Sequence, residues 1–318
     1  MNLPLVVASQ AEDLVLSRQP DLFICNLTSW PVKDDLASMD VPIFSLKRHG
    51  DTTTRTYKRG ERSVTVIPSS LGAATVFDKD LLLFVVSQLI EARNKGKTIS
   101  RTVRVQSSDY LIATDRDDGS KSFNGVIGTL RRLKGTNVET NIPTGNVTQT
   151  HGFSLIDDYK ILSEKTSTVK KIGKNNKLTT TEISRVFSFE ITLSEWLMNG
   201  LLDFKVLTLE REYFKLDKSI DRRLYEIGRR HCGDQPIFKI GIDLLAEKVG
   251  TARERFKFRA HLRSAIKRQP LPEYFIALDK SDSKEFVVFY TRKHINLSRY
   301  LIKNPDKIKW FETLERGI

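Results

Sequence analysis

Cysteine is nearly missing from these 318 residues: there are two, Cys25 and Cys232, far apart in the chain. They offer no Cys-x-x-Cys spacing for metal or redox chemistry, and a reducing cytoplasm is the simplest setting. The five histidines, His49, His151, His231, His261 and His294, include no His-x-His pair of the kind a metal-dependent DNA nickase needs. No apolar run is long enough to span a membrane, and "MNLPLVVASQAEDL" has no Lys or Arg before its short apolar patch, so it is a poor signal peptide. Acid is also in deficit. Asp and Glu total 39 against 52 Lys and Arg, a net charge of +13 with a pI near 9.6. That surplus points to a polyanionic partner, nucleic acid before an anionic membrane surface. "GKT" at 96 to 98 ends like a phosphate-binding loop, but Glu91 stands where the first glycine is required. "DRDDG" at 115 to 119 lacks the spacing and terminal Glu of a calcium loop and reads as a turn.

What is present is a globular composition. Hydrophobic residues make up 39% of the chain, with 17 Phe, as in a folded protein, and 318 residues are enough for two ordinary domains, or one large one, each with a real core. Residues 1–40 read as an N-terminal arm with one short helix, Ser9 to Leu16, and a Pro-containing loop. From Val41 the pattern becomes regular. "RSVTVIPSS" alternates like a strand. "DKDLLLFVVSQLIEARNKG" is a helix with Asp78 as its cap and Leu82, Val85, Val86, Leu89 and Ile90 as a core stripe. "TVRVQ" is a strand, "SSDYLIATD" a short helix and "KSFNGVIGTLRRLKG" a third helix closed by Gly135. Extended segments follow, then "KTSTVKKIGKNNKLTTT", basic and nearly free of bulk, which reads as a hairpin tip or loop. "SRVFSFEITL" is a strand and "SEWLMNGLL" a short helix.

After Asp203 the same order recurs. "KSIDRRLYEIGRRHCG" is a helix and "PIFKIG" a strand. "IDLLAEKVG" is a short helix and "TARERFKFRAHLRSAIKR" a longer basic one. "EYFIALDKSDSKEFVVFYTRK" is a hairpin of two alternating strands. Helix, strand, helix, helix, hairpin is the winged-helix plan, in which a helix-turn-helix carries a β-ribbon. The expected architecture is therefore α+β, with two tandem winged helices at 41–202 and 203–293 and a C-terminal tail at 294–318.

Both third helices separate by face at 100° per residue. In "RERFKFRAHLRSAIKR", Phe258, Leu262, Ala265 and Ile266 fall inward. Arg253, Phe256, Lys257, Ala260, Ser264 and Lys267 fall outward, with Arg263 at the edge and Glu254 the only acid. Long cations can reach phosphates and base edges in a major groove, and Ala260 permits close approach. Phe256, an aromatic among cations, either touches a thymine methyl or packs against the wing. In "KSFNGVIGTLRRLKG", Phe123, Val126, Ile127, Leu130 and Leu133 face inward. Lys121, Asn124, Gly125, Gly128 and Arg132 face outward, flanked by Thr129 and Arg131. Two outward glycines cost roughly 1 kcal/mol each in helix propensity. Approach of DNA backbone would justify them, whereas helix packing would place them on the apolar side. Asn124 suits adenine and Arg132 guanine. Lys165, Lys170, Lys171, Lys174 and Lys177, and in the second wing Lys280, Lys284, Arg292 and Lys293, are either phosphate contacts or solvated side chains. No catalytic constellation and no cofactor or metal site is expected; His231 and Cys232 in "RRHCG" read as structural. A rolling-circle nickase would have to draw on Tyr110, Tyr225 or Tyr290.

"DLFICNLTSWPVKDDLASMDVPIFSL", "YKRGERSVTVIPSSLGAATVFDKDLLLFVVSQL", "LDKSIDRRLYEIGRRHCG" and "FVVFYTRK" together resemble the plasmid replication initiator protein A family of bacteria, from about Asp21 to Lys293. The resemblance implies tandem winged helices that bind repeated double-stranded sites (iterons) at a plasmid origin. It also implies help in opening the duplex and recruitment of host replication proteins such as a helicase or its loader. Autorepression and dimers are implied as well. A cytoplasmic, plasmid-associated protein with no membrane partner follows. The alternative with the same DNA chemistry is a plain transcriptional repressor.

Overall fold

The computed structural model describes residues 22–315, apart from 26–30, 36–38, 40, 49, 60–61, 118–119, 145–146, 173–177, 204–205, 234, 252–254 and 281–283. The expected helix at Ser9–Leu16 lies outside the described residues. The rest of the region read as an arm contributes two strands. β1 (Leu22–Cys25) pairs in parallel with β5 (Thr102–Gln106), and β2 (Val32–Asp35) pairs antiparallel with β10 (Val206–Leu209) in the connection between the two repeats.

The first repeat follows the predicted order. Strands β3 (Arg55–Arg59) and β4 (Arg62–Ile67) precede helix α1 (Lys79–Asn94); after β5 come helices α2 (Ser107–Ala113) and α3 (Ser120–Gly135). A hairpin, β6 (Asn137–Thr144) and β7 (Val147–Ser154), extends the β3–β4 sheet. It is followed by the long ribbon β8 (Ile156–Ile172) and β9 (Leu178–Leu193) and the short helix α4 (Glu195–Leu202). The segment read as a hairpin tip or loop is thus mostly strand, paired as far as Ile172↔Leu178. Thr and Val supply the β-branched character that its lysines obscured.

The second repeat is α5 (Ser219–His231), β11 (Ile237–Gly241), α6 (Ile242–Val249), α7 (Arg255–Arg268), β12 (Tyr274–Asp279) and β13 (Phe286–Thr291). Its sheet order is β11-β13-β12, and the first repeat has β5-β9-β8 in the corresponding positions. In both, the strand before the helix pair bonds to the last strand of the ribbon. This shared topology establishes two winged helices where the literal sequences barely match. The C-terminal tail also folds: α8 (His294–Lys303) and α9 (Ile308–Glu315) cover the outer face of the second sheet, where Ala277, Val288 and Tyr290 meet Leu297, Phe311 and Leu314.

Every residue of α1 from Lys79 to Ile90 is buried. Leu81, Leu82 and Phe84 join the first core while Leu83 joins the second, so one helix serves both repeats. Its first turn corrects the expected cap. Thr75 Oγ1 accepts from the Asp78 amide at 3.2 Å and Asp78 Oδ2 accepts from the Thr75 amide at 2.8 Å, a reciprocal capping box one turn before the expected position.

Asp78, Lys79 and Asp80 then enter a buried ion network. Lys79 Nζ lies 2.7 Å from Asp34 and 3.0 Å from Glu226, and Asp80 binds Arg222 and, at 2.8 Å, Arg116. Glu226 also pairs with Arg223 at 2.8 Å and accepts from the Tyr213 hydroxyl at 2.7 Å. Removing one partner of a buried pair strands the other charge in low dielectric. Lys79→Ala should therefore cost about 3–5 kcal/mol in urea unfolding. Glu226 adds a pH signature. Burial alone would raise its carboxyl, but Lys79, Arg223 and the Tyr213 hydroxyl outweigh burial and hold it below its ordinary value of 4.5. A depressed folded-state value contributes stability that is complete above about 4.5 and is lost as pH falls further. Stability should drop in acid, and Glu226→Gln should flatten part of that drop.

Candidate nucleic-acid interface

Helix α7 is presented by the helix before it. Gly250 ends α6 at φ +91°, and the Thr251 amide donates to Ala246 O at 2.8 Å, the Schellman closure that only a left-handed residue permits cheaply. Phe258, Leu262, Ala265 and Ile266 are buried, as the helical period predicts. Phe256, Lys257, Ala260, Arg263, Ser264 and Lys267 are exposed on the opposite side. Arg253 lies outside the described residues. Two further cations are tied down: Arg259 pairs with Glu285 beside the ribbon, and Arg268 binds Asp221 in α5 at 2.8 and 3.0 Å. Phe256 is 86% exposed, so it is not packed against the wing.

Helix α3 is set by the same logic, with Phe123, Val126, Leu130 and Leu133 buried and Asn124, Gly125 and Arg131 exposed. Lys121 is helical, but its side chain falls outside the described set. Arg132 requires a correction. Its guanidinium turns back to Asp78, donating from Nε at 2.8 Å and from the terminal nitrogen at 2.7 Å, and the hydrogen bond to Asp78 holds it more firmly protonated. It is not poised for guanine. Thr129 is also withdrawn, buried and donating to Asp78 at 2.8 Å. Gly128 is explained by this turn-back, since a Cβ there would stand 3.2 Å from the Arg132 guanidinium. At Gly125 a Cβ would meet nothing within 4 Å, so only the second glycine is bound to the fold.

The remaining predicted residues divide. Lys170 and Lys171 lie on β8, at the paired end of the first ribbon, and their side chains are not among those described; Lys174 lies outside the described residues. In the second wing Lys280, Lys284 and Lys293 are exposed. Arg292 is withdrawn: it donates to Gln269 O at 2.8 Å and Leu271 O at 3.1 Å and lies 4.1 Å over the Phe275 ring. Cys232 is buried, its thiol pushed up to about 12 by that burial, and His231 stacks on Phe238 at 4.4 Å. Both act as packing groups. Tyr110, Tyr225 and Tyr290 are at most 3% exposed, so none presents a hydroxyl to a phosphate.

Sequence reasoning missed the residues that aim these helices. Asp78 grips Arg132 in the last turn of α3, and Asp221 grips Arg268 at the end of α7. The pairs span 54 and 47 residues, so no local spacing announces them.

The fold and its two exposed helices define a tandem winged-helix protein. The replication initiator protein A family profile matches residues 33–276, and the chain belongs to that family. A relative from Wigglesworthia glossinidia brevipalpis, named for a role in replication, is 37% identical over 246 residues, 77% of this chain and 84% of its own. A crystal structure of domains 2 and 3 of RctB superposes with a TM-score of 0.58 at 12% identity, covering 80% of this chain and 98% of that one. A second crystal structure of RctB domains 2–3 gives 0.52 at 12% identity over 83% and 99%. No described helix is long and apolar enough to cross a membrane.

The two glycines make a paired prediction. Gly125→Ala should stabilise the protein by about 1 kcal/mol through helix propensity. Gly128→Ala should gain less, because the new methyl crowds Arg132. In an Arg132→Ala background that difference should vanish, as read by thermal unfolding of the four proteins.

Proposed function

We propose that the protein initiates plasmid replication by binding repeated double-stranded sites at an origin, with α3 and α7 in successive major grooves and the ribbons on the backbone. In this reading residues 41–202 and 203–293 are the two DNA-binding units. One observation carries it: each repeat exposes a helix face of cations, small residues and polar groups, held from behind by an acid–Arg pair. Exposed Asn124, Gly125 and Arg131 serve in the first unit, and Lys257, Ala260, Arg263, Ser264 and Lys267 in the second. Lys121, Arg253, Lys170, Lys171 and Lys174 are added on charge and position. Arg132 and Gly128 are left to the scaffold.

Family membership and the net charge of +13 support origin binding. Repression of its own promoter, recruitment of a host helicase or loader, and a dimeric form go with the same reading. No catalytic step is required, because the free energy of binding and bending DNA can itself open a duplex.

Three measurements test this. Reversing Arg263 and Lys267 to Glu should abolish sequence-specific binding while leaving the circular-dichroism spectrum intact; retained binding would overturn the role of α7. The logarithm of the association constant should fall with the logarithm of salt at about −0.9 per phosphate, to a total steeper than roughly −4. Footprinting beside its own gene should show repeated sites next to an AT-rich stretch, whereas a single operator would favour a plain repressor.

A further inference from the structure

The face of α7 that the proposed function places in a groove carries one side chain which phosphate contact does not explain. Phe256 is 86% exposed, more than any other large apolar side chain among the described residues, and it is the one aromatic among those left exposed. It sits in the first turn of the helix. At 100° per residue it shares a stripe with Ala260, Arg263 and Lys267, the last two one turn apart on the same side. Folding gains nothing by leaving it there, since burying a Phe side chain is favourable. Helices enter the major groove with their N-terminal residues against the base edges. The strongly apolar group on that floor is the 5-methyl of thymine; the other edge groups are hydrogen-bond donors and acceptors. Ala260, one turn on, removes the side chain that would hold the helix off the floor. Arg263 and Lys267 beyond it are long enough to reach phosphates while Phe256 touches a base.

We infer that Phe256 is a specificity-determining residue that reads thymine by packing its ring on the 5-methyl group in the major groove. This rests on α7 lying in that groove, as proposed above. A wedge between base steps would belong to minor-groove binding. Stacking on an unpaired base would be indifferent to the methyl, because every base offers a ring face.

Deoxyuridine differs from thymidine by that methyl alone, which makes the test direct. The full-length protein first selects a duplex from a random-sequence pool. Each thymine of that duplex is then replaced singly by deoxyuridine, and affinities are measured for the natural protein, Phe256→Ala and the double Arg263→Glu/Lys267→Glu variant. At one or two positions the replacement should weaken the natural protein by about threefold to tenfold, the worth of one buried methyl with its contacts. Phe256→Ala should bind the thymine duplex more weakly and be blind to the replacement at those same positions. Loss of affinity in Phe256→Ala with no methyl-sensitive position would overturn the inference in favour of stacking. A methyl effect that persists in Phe256→Ala would overturn it too. If Arg263→Glu/Lys267→Glu binds normally, α7 is not in the groove and the failure lies in the broader reading. If that variant loses binding while Phe256→Ala is unaffected, only the thymine contact falls. The exposure of Phe256 means the alanine variant should fold, and its melting temperature checks that it has.

Discussion

A lysine shut away from water fixes how the two halves meet. Lys79, 1% exposed, lies between Asp34 on β2 and Glu226 on α5. Next to it Asp80 joins Arg222 of the second repeat to Arg116 of the first. Burying so many charges is costly unless each keeps its partners in good geometry, and the reward is uniqueness of arrangement more than raw stability. A slip of α5 along α1 would break two ion pairs together, Lys79–Glu226 and Asp80–Arg222. The apolar contacts alone are less choosy. Leu83 reaches the second core from a helix whose other faces fill the first, and such packing tolerates small shifts.

The acid–Arg pairs at Asp78 and Asp221 extend this principle to the reading helices. Each joins the start of a repeat's first helix to the end of its third, so the exposed face is aimed by a charged, directional contact as well as by core packing. In the first repeat the arrangement reaches further. Arg132, which a helical projection places outside, and Thr129, which it places on the flank, are drawn inward to one carboxylate, and Gly128 leaves room for the guanidinium. The visible cation count on α3 therefore overstates what is free to meet a ligand, whereas on α7 the outward Arg263, Ser264 and Lys267 are exposed as drawn.

Much of the fold was legible because it rests on periodicity. The inward and outward sets of α7 separated at 100° per residue without exception among the described residues, and the repeated order of elements foretold the shared sheet topology. What escaped was long-range or masked by composition. Asp78 looked like a plain cap because its partners at 129 and 132 lie half a domain away in sequence. Strands β1 and β2 hid in an arm because four residues are too few to show a period. The ribbon through Lys170 and Lys171 reads as a hairpin tip or loop because its sequence carries no apolar alternation. The tail was unread, although "FVVFY" already signalled a sheet with two covered faces: Val287 and Phe289 face one core while Val288 and Tyr290 face α8 and α9.

The first ribbon sets a length scale of its own. β8 has 17 residues, which at a rise of about 3.3 Å each span roughly 55 Å, more than the approximately 34 Å repeat of duplex DNA. Three register shifts, at Ile156/Asp158, Leu162/Ser163 and Lys165/Ser167, interrupt its regular pairing with β9, the kind of irregularity that bends and twists a ribbon. How far the first repeat can act from its own core is governed by strand length and the placing of bulges, two quantities that insertions of a few residues can alter without disturbing the packed part of the molecule.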